Sequence, residues 1–249
     1  MTSPAGPGAV AERIAAACRV LGRLGLTREP AGHISMLLDD GSVAIKARGP
    51  SESGLRFAGA ADVVVVDPDG TPRSQAPGLE PPRELAIHLA VYRARPDVTS
   101  VVHVHPLMPV LFGICDVPLL PLIGAYDPYA LRLLARGVPT FERGVLVTTP
   151  RLGDEMAAVL GTSSACLMRG HGVTTVGASP EEAALNVIKL SELAELNYRA
   201  RLLGEPREIE RAEREEIVGS GRTRPELIDS AWRFYRRLTD EEAEKAGER

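Results

Sequence analysis

The residues best suited to chemistry are two alternating histidines at the end of an apolar run, Val101-Val102-His103-Val104-His105-Pro106. In a β-strand, side chains two positions apart share a face, so both imidazoles would project from one side. Two convergent imidazoles suit zinc or a similar divalent cation. A pair of hydrogen-bonded core histidines would give the same pattern. These six residues alone leave both interpretations open.

Two further candidates for a metal site lie far from this run. His171 stands between Gly170 and Gly172, and glycine permits close backbone approach and unusual dihedrals, so this imidazole can turn inwards. A third histidine would complete a catalytic set with positions open for water or substrate. Glu84 is a candidate fourth ligand or acid/base residue. Alternatively it caps the helix, because the positive end of the helix dipole stabilises a carboxylate in the first turn. His88, on a mainly apolar stripe, is predicted to support packing rather than bind metal.

Composition narrows the class of protein. The 249 residues are 44% hydrophobic and 25% charged, as in a soluble globular protein. A formal net charge of -4, without a basic stripe, predicts no nucleic-acid partner. Three widely spaced cysteines argue against a disulfide framework and favour a reducing cytoplasm. We see no signal peptide, and the apolar region 101–125 is interrupted by His, Asp and Pro, which predicts buried core rather than a membrane span.

Hydrophobic periodicity predicts alternating helices and strands. Helices are expected over residues 9–26, 84–95, 106–114, 126–136, 151–160 and 179–203. Strands are expected over 32–37 and 43–46, as a hairpin, and over 62–67, 145–148, 165–168 and 173–176, with the four-valine strand 62–67 buried on both faces or nearly so. We predict a single domain over residues 1–249, with a core at about 10–205. The charged extension 206–249 would carry one short docking helix through Ile228, Trp232 and Tyr235.

The turn after the hairpin, residues 47–54, combines small, hydroxyl and basic residues. Arg48, Ser51 and Ser53 are candidates for holding an anionic substrate, with help from backbone N–H groups. A plain surface loop would have the same composition.

Together these motifs resemble the class II aldolase/adducin family over roughly residues 10–205. The resemblance rests on Gly32-His33-Ile34-Ser35, on the run 84–98, on the strand 102–106 and on Gly170-His171-Gly172, with Glu84 nineteen positions before His103. It implies an α/β fold, a three-layer α/β/α domain around a largely antiparallel central sheet.

The resemblance also implies roles for individual residues. His103, His105 and His171 would bind a divalent metal, usually Zn²⁺, with Mn²⁺, Co²⁺ or Fe²⁺ as alternatives. Glu84 would be the acid/base residue and would also be able to contact the metal. Family enzymes are typically homotetramers with active sites at subunit interfaces. There a tyrosine or aspartate comes from the neighbouring chain, and Tyr126 and Asp127 are the nearest candidates.

The departures from the sugar-phosphate aldolases bear on the substrate. Those enzymes have Asn where this chain has His33, and a serine pair where it has Pro82 and Arg83. A phosphate pocket is therefore not expected. Arg83, Arg48 and His33 could instead bind a carboxylate, which a guanidinium matches bidentately, or the arginines are solvated surface groups. The runs G-H-I-S, P-P-x-E and G-A-Y-D-P are more similar to the decarboxylase branch, such as 3,4-dihydroxyphthalate decarboxylases.

We therefore expect a metal-dependent carbon–carbon lyase that decarboxylates a hydroxylated aromatic or small hydroxy-carboxylate substrate. Three alternatives remain: a class II aldolase acting on a small hydroxy-carbonyl, sugar-type substrate, a non-haem iron oxygenase, and a non-catalytic adducin-like scaffold. The scaffold hypothesis predicts loss of metal residues, whereas all four candidates are present.

Overall fold

The computed structural model describes residues 7–50, 52–73, 77–134, 137–219 and 224–247. Its strands are β1 (His33–Leu37), β2 (Val43–Lys46), β3 (Val63–Val66), β4 (Ser100–Val104), β5 (Thr140–Phe141), β6 (Ala165–Met168) and β7 (Gly172–Gly177). Its helices are α1 (Pro7–Arg23), α2 (Leu85–Ala94), α3 (Leu107–Cys115), α4 (Pro128–Leu134), α5 (Pro150–Leu160), α6 (Pro180–Leu203), α7 (Arg211–Gly219) and α8 (Arg224–Gly247). No helix in these described ranges is both long and apolar enough to cross a bilayer.

The seven strands form one mixed sheet in the order β3-β2-β1-β4-β7-β6-β5. Neighbours are antiparallel except β5 and β6, which are parallel. This confirms the α/β class and the largely antiparallel sheet. The histidine strand β4 lies at the centre, between β1 and β7, so segments distant in the sequence meet at its end.

Alternation along β4 directs its side chains into two hydrophobic clusters. Val102 and Val104 are fully buried in a cluster that contains residues of α1 and α6. Val101 is fully buried in a second cluster with residues of α2 and α5. His103 shares the face of Val101, because successive strand residues point to opposite sides. The apolar neighbours on both faces hold this strand rigidly in the core.

The valine strand and the predicted strand 145–148 differ from expectation. In β3, Val64 and Val66 are buried whereas Val63 and Val65 are only partly buried, because β3 is an edge strand of the sheet. The prediction of a strand at 145–148 is wrong: this segment is irregular, and β5 lies earlier, at Thr140–Phe141. The backbone N–H of Val147 donates to Glu84 rather than to a strand neighbour.

The C-terminal region is more helical than predicted. Instead of one short helix it forms α7 and the 24-residue α8. Within this region Tyr235 is buried, and Ile228 and Trp232 pack against the cluster of α1 and α6. The Tyr235 hydroxyl also donates to Glu192 of α6 at 2.7 Å.

Candidate metal centre

The structure brings the four predicted metal ligands together. One ligand atom from each of Glu84, His103, His105 and His171, the ligand cluster, lies within 4.8 Å of the others. Glu84 Oε2 is 3.3 Å from His171 Nε2 and 3.6 Å from His103 Nε2. The Nε2 atoms of His103 and His105 approach to 3.0 Å. Residues from three separate segments therefore converge on one small volume.

The central position of β4 explains how its two histidines are held. His103 is completely buried within the strand, and His105 follows directly after its end. His103 Nδ1 lies 3.4 Å from the Thr174 hydroxyl on the neighbouring strand β7. A partner on one ring nitrogen orients the other nitrogen as a ligand, and here it directs Nε2 towards the cluster.

His171 is positioned by the turn between β6 and β7. Gly170 has a φ of 59°, which favours glycine, and the N–H of His171 donates to the carbonyl of Met168 at 3.0 Å. At Gly172, an added Cβ would lie 2.5 Å from the Val104 carbonyl oxygen and 2.6 Å from the His105 ring. The two glycines thus have different functions: the first turns the chain, and the second lets β7 approach the histidine strand closely.

Glu84 directs its carboxylate into the ligand cluster rather than along the axis of α2. It occupies the N-cap position but makes no side-chain cap hydrogen bond, and its Oε1 accepts the N–H of Val147 at 2.7 Å. Burial alone would raise its pKa. The adjacent His171 and His103, together with the Val147 N–H, outweigh burial and lower the pKa of Glu84 to about 2. The residue is a carboxylate at neutral pH.

The chemistry of these side chains fits a divalent cation. Both ring nitrogens of His171 are buried without a hydrogen-bond partner among the described residues, an arrangement that is costly unless a ligand satisfies it. Burial is the largest cause that holds the pKa of His103 well below its usual value, so this imidazole is neutral. Three imidazoles and one carboxylate form a donor set suited to zinc or another divalent transition metal.

Beside the ligand cluster lies a hydrogen-bonded group that the sequence did not reveal. His33 Nδ1 and His88 Nε2 are 2.6 Å apart, His88 Nδ1 is 2.6 Å from Ser35 Oγ, and Ser35 Oγ is 2.6 Å from the Tyr92 hydroxyl. We call these four residues the buried chain. His88 is thus a supporting residue, as predicted. Two spacings in the sequence could have indicated this group. His33 and Ser35, at i and i+2, share a face of a strand, and His88 and Tyr92, at i and i+4, share a face of a helix.

The predicted substrate-binding residues differ in their burial and in the contacts that they make. His33 is buried opposite His103, with their ring centroids 5.2 Å apart. Arg48 forms an ion pair with Glu80, and its Nε donates to the Pro81 carbonyl at 3.1 Å. Arg83 and Ser53 are exposed. The prediction for Ser51 falls outside the described residues.

Tyr126 and Asp127 do not join the ligand cluster within one chain. The Tyr126 side chain is 90% exposed. Asp127 Oδ1 accepts the N–H groups of Tyr129 and Ala130 at the start of α4, and its Oδ2 pairs with Lys189 at 2.8 Å. Both predicted residues line a surface cavity that no residue of the ligand cluster lines. Within one chain the contacts of Asp127 are therefore with α4 and Lys189 and not with the ligand cluster.

Comparison with known proteins defines the class to which this fold and site belong. The model of the Class II Aldolase and Adducin N-terminal domain matches residues 12–198. The chain is 41% identical over 201 residues to a 3,4-dihydroxyphthalate decarboxylase of Terrabacter sp. (strain DBF63), covering 79% of this chain and 84% of that protein. It is 39% identical over 205 residues to the enzyme of the same name from Arthrobacter keyseri, covering 81% and 83%.

Solved structures agree on the fold. An aldolase II superfamily protein from Pseudomonas syringae superposes with a TM-score of 0.80 at 22% identity, covering 97% of this chain and 95% of that one. The chain belongs to the class II aldolase/adducin family. The resemblance to the 3,4-dihydroxyphthalate decarboxylase branch is likewise confirmed.

Proposed function

We propose that this protein is a metal-dependent decarboxylase of a hydroxylated aromatic carboxylate, with 3,4-dihydroxyphthalate as the first substrate to test. The observation that carries the proposal is the convergence of Glu84 with three imidazoles, one of which, His171, has two buried nitrogens that make no hydrogen bond among the described residues. The name of the two similar enzymes supports the substrate class.

The ligand cluster would hold the divalent cation, most simply Zn²⁺. A bound divalent cation supplies Lewis acidity, which withdraws electron density from substrate oxygens and stabilises the negative charge left when carbon dioxide departs. His103, His105 and His171 contribute neutral donors, and Glu84 contributes the one negative charge within the cluster. This charge balance leaves a net positive centre that attracts an anionic substrate.

The reaction breaks the bond between a ring carbon and its carboxylate. The electron pair remains on that carbon, which then takes up a proton as carbon dioxide leaves. Glu84 is the proposed acid/base, because its carboxylate is already within the ligand cluster. As a carboxylate it would first take the proton of a substrate hydroxyl and then return that proton to the ring carbon, which leaves the product as its phenolate. Tyr126 of a neighbouring subunit is the alternative proton donor, and the 90% exposure of its side chain supports a position at an interface. Asp127 of the neighbour would act with it.

Exposure distinguishes the two candidate arginines. Arg83 is exposed and directly precedes Glu84, whereas the guanidinium of Arg48 already contacts Glu80 and Pro81. We therefore propose that Arg83 binds a substrate carboxylate together with His33, with Arg48, Ser51 and Ser53 contributing from the loop.

The wider assembly completes the proposal. We propose a single domain with helices in layers on both sides of the sheet, which the two hydrophobic clusters support. It would function as a cytoplasmic homotetramer with active sites between subunits.

The decisive experiment is metal analysis of the purified protein, followed by a screen of hydroxylated carboxylates for carbon dioxide release. We expect one divalent ion per chain and release that stops after chelation and returns with metal. Turnover of a phosphorylated sugar substrate without carbon dioxide release would identify an aldolase instead. Oxygen uptake during turnover would identify an iron oxygenase.

A further inference from the structure

The buried chain runs from Tyr92 to His33 and ends beside the ligand cluster. His33 is the direct cross-strand partner of His103, so its ring lies against a metal ligand. His33 is only 7% exposed, and His88 is completely buried. The separations of 2.6 Å along the chain place each pair of atoms within hydrogen-bonding distance.

The donors and acceptors of this chain fix its direction. Tyr92 has one hydroxyl hydrogen, and Ser35 is its only hydrogen-bond acceptor among the described residues. If the phenol donates to Ser35, the Ser35 hydroxyl must donate to His88 Nδ1. His88 then carries its hydrogen on Nε2 and donates it to His33 Nδ1. In the opposite direction the phenol hydrogen of the partly buried Tyr92 would have no acceptor among the described residues, which is unfavourable.

This direction determines the tautomer of His33. Because Nδ1 accepts from His88, the hydrogen of the neutral His33 ring must lie on Nε2. His33 Nε2 makes no hydrogen bond within the described ranges, yet it is not among the buried polar atoms that lack a partner. It therefore retains access to a ligand. The result is one N–H donor of fixed identity next to the ligand cluster.

We propose that His33 is a substrate-binding hydrogen-bond donor whose tautomer is set by Tyr92 through Ser35 and His88, and that it holds an anionic oxygen of the substrate. This inference rests on the proposed function for the identity of the substrate. Tyr92, Ser35 and His88 are positioning residues in it, since they act only through His33. The Nε2–H of a neutral ring can donate to such an oxygen.

The first test reads the tautomer directly in the zinc-loaded protein by ¹⁵N NMR of labelled histidine. The His33→Gln variant assigns the signal by its disappearance. We expect wild-type His33 in the Nε2–H form, and a mixture of both tautomers in Tyr92→Phe. An Nδ1–H form in the wild type would overturn the proposal. This measurement needs no substrate, so failure of the decarboxylase assay would refute the proposed function and leave this result intact.

The second test is a double-mutant cycle on substrate turnover. Tyr92→Phe should lower kcat/KM by about tenfold, the smaller end of the range for residues that orient an active-site group. The metal content should be unchanged. In His33→Gln the amide supplies an N–H donor that does not depend on the chain, so adding Tyr92→Phe there should have no further effect. An equal tenfold loss in both backgrounds would show that Tyr92 is merely structural.

Tyr129→Phe is the matched control. This tyrosine is buried, whereas Tyr92 is partly buried, and its hydroxyl donates to Asn186 at 3.0 Å in a different part of the core. The variant removes a phenol hydrogen bond of the same kind without touching the buried chain. We expect it to leave the His33 tautomer unchanged and kcat/KM within twofold of wild type. A tautomer change in this variant would contradict the proposed route.

Discussion

The five histidines form two adjacent groups that differ in the hydrogen-bond partners of their ring nitrogens. His33 and His88 form hydrogen bonds inside the protein, in a chain that continues to Ser35 and Tyr92. The three histidines of the ligand cluster instead point their rings at one another and at Glu84, and both nitrogens of His171 have no hydrogen-bond partner in the described structure. The comparison separates a group whose rings are joined to one another by hydrogen bonds, with one nitrogen of His33 left over, from a group whose converging ring nitrogens could hold a cation.

The strongest challenge to this comparison is to remove one histidine from each group. His103→Ala should reduce the bound metal from about one ion per chain to near zero and abolish turnover, because the four ligands of the cluster fall to three, of which only two are imidazoles. The measurement is elemental analysis with a carbon dioxide assay. His88→Asn is the matched control and should retain its metal. Full metal content in His103→Ala would refute the assignment of the site.

Glu84→Gln tests whether the negative charge and proton-accepting ability of the carboxylate are needed for turnover. The amide oxygen can still accept the Val147 N–H, so the local fold should survive. Turnover should fall by about 10²- to 10⁴-fold, the usual contribution of a general acid/base. Single-turnover kinetics at saturating metal would measure it. Unchanged turnover in a variant that still binds metal would show that Glu84 is not the acid/base.

The two glycines beside His171 allow close packing between strands, at Gly172, to be compared with backbone conformation, at Gly170. Gly172→Ala places a methyl group against the Val104 carbonyl and the His105 ring, so β7 and His105 must separate. We expect a loss of roughly 1–3 kcal/mol in folding stability, typical of overpacking, and about 10- to 100-fold weaker metal binding.

Gly170→Ala is the control for that variant. Its φ of 59° is unfavourable for alanine, but nothing lies within 4 Å of the added Cβ. It should therefore lose about 1–2 kcal/mol of stability through backbone strain alone, with metal affinity nearly unchanged. Thermal unfolding with and without zinc separates the two effects. Equal loss of metal affinity in both variants would show that close approach at Gly172 is unimportant.

The smallest effect on substrate turnover is expected from the exposed arginine Arg83. Arg83→Ala should raise KM by about tenfold, which corresponds to about 1.4 kcal/mol, while kcat changes little. Arg93→Ala, which removes an exposed arginine paired with Asp154, serves as the control. If both substitutions alter KM equally, the effect is general electrostatics rather than a specific contact.

The sequence predicted the parts of this molecule that depend on local pattern. The spacing of His103 and His105, and the glycines around His171, indicated candidate ligands, and the resemblance to the class II aldolase/adducin family favoured the metal site over a core histidine pair. Ser179 and Pro180 were sufficient to place the start of α6, where Ser179 accepts the N–H of Glu182. Such signals are carried by residues close together in the chain.

Contacts between residues far apart in the sequence could not be predicted from local patterns. The buried chain joins β1 to α2, whose residues His33 and His88 are 55 positions apart. The segment 145–148 has the composition of a strand, but a hydrogen bond to Glu84, 63 positions away, takes the N–H of Val147. Periodicity gives the face of each element, whereas the identity of its neighbour depends on the whole fold.

The placement of β4 between two distant strands has a consequence for how the chain is made. Its partners are β1, some 65 residues earlier, and β7, about 70 residues later. A ribosome-bound chain that ends before Gly172 therefore exposes one unpaired edge of a strand rich in valine. Such edges promote aggregation, so this stretch is where a nascent or prematurely terminated chain would most need chaperone protection.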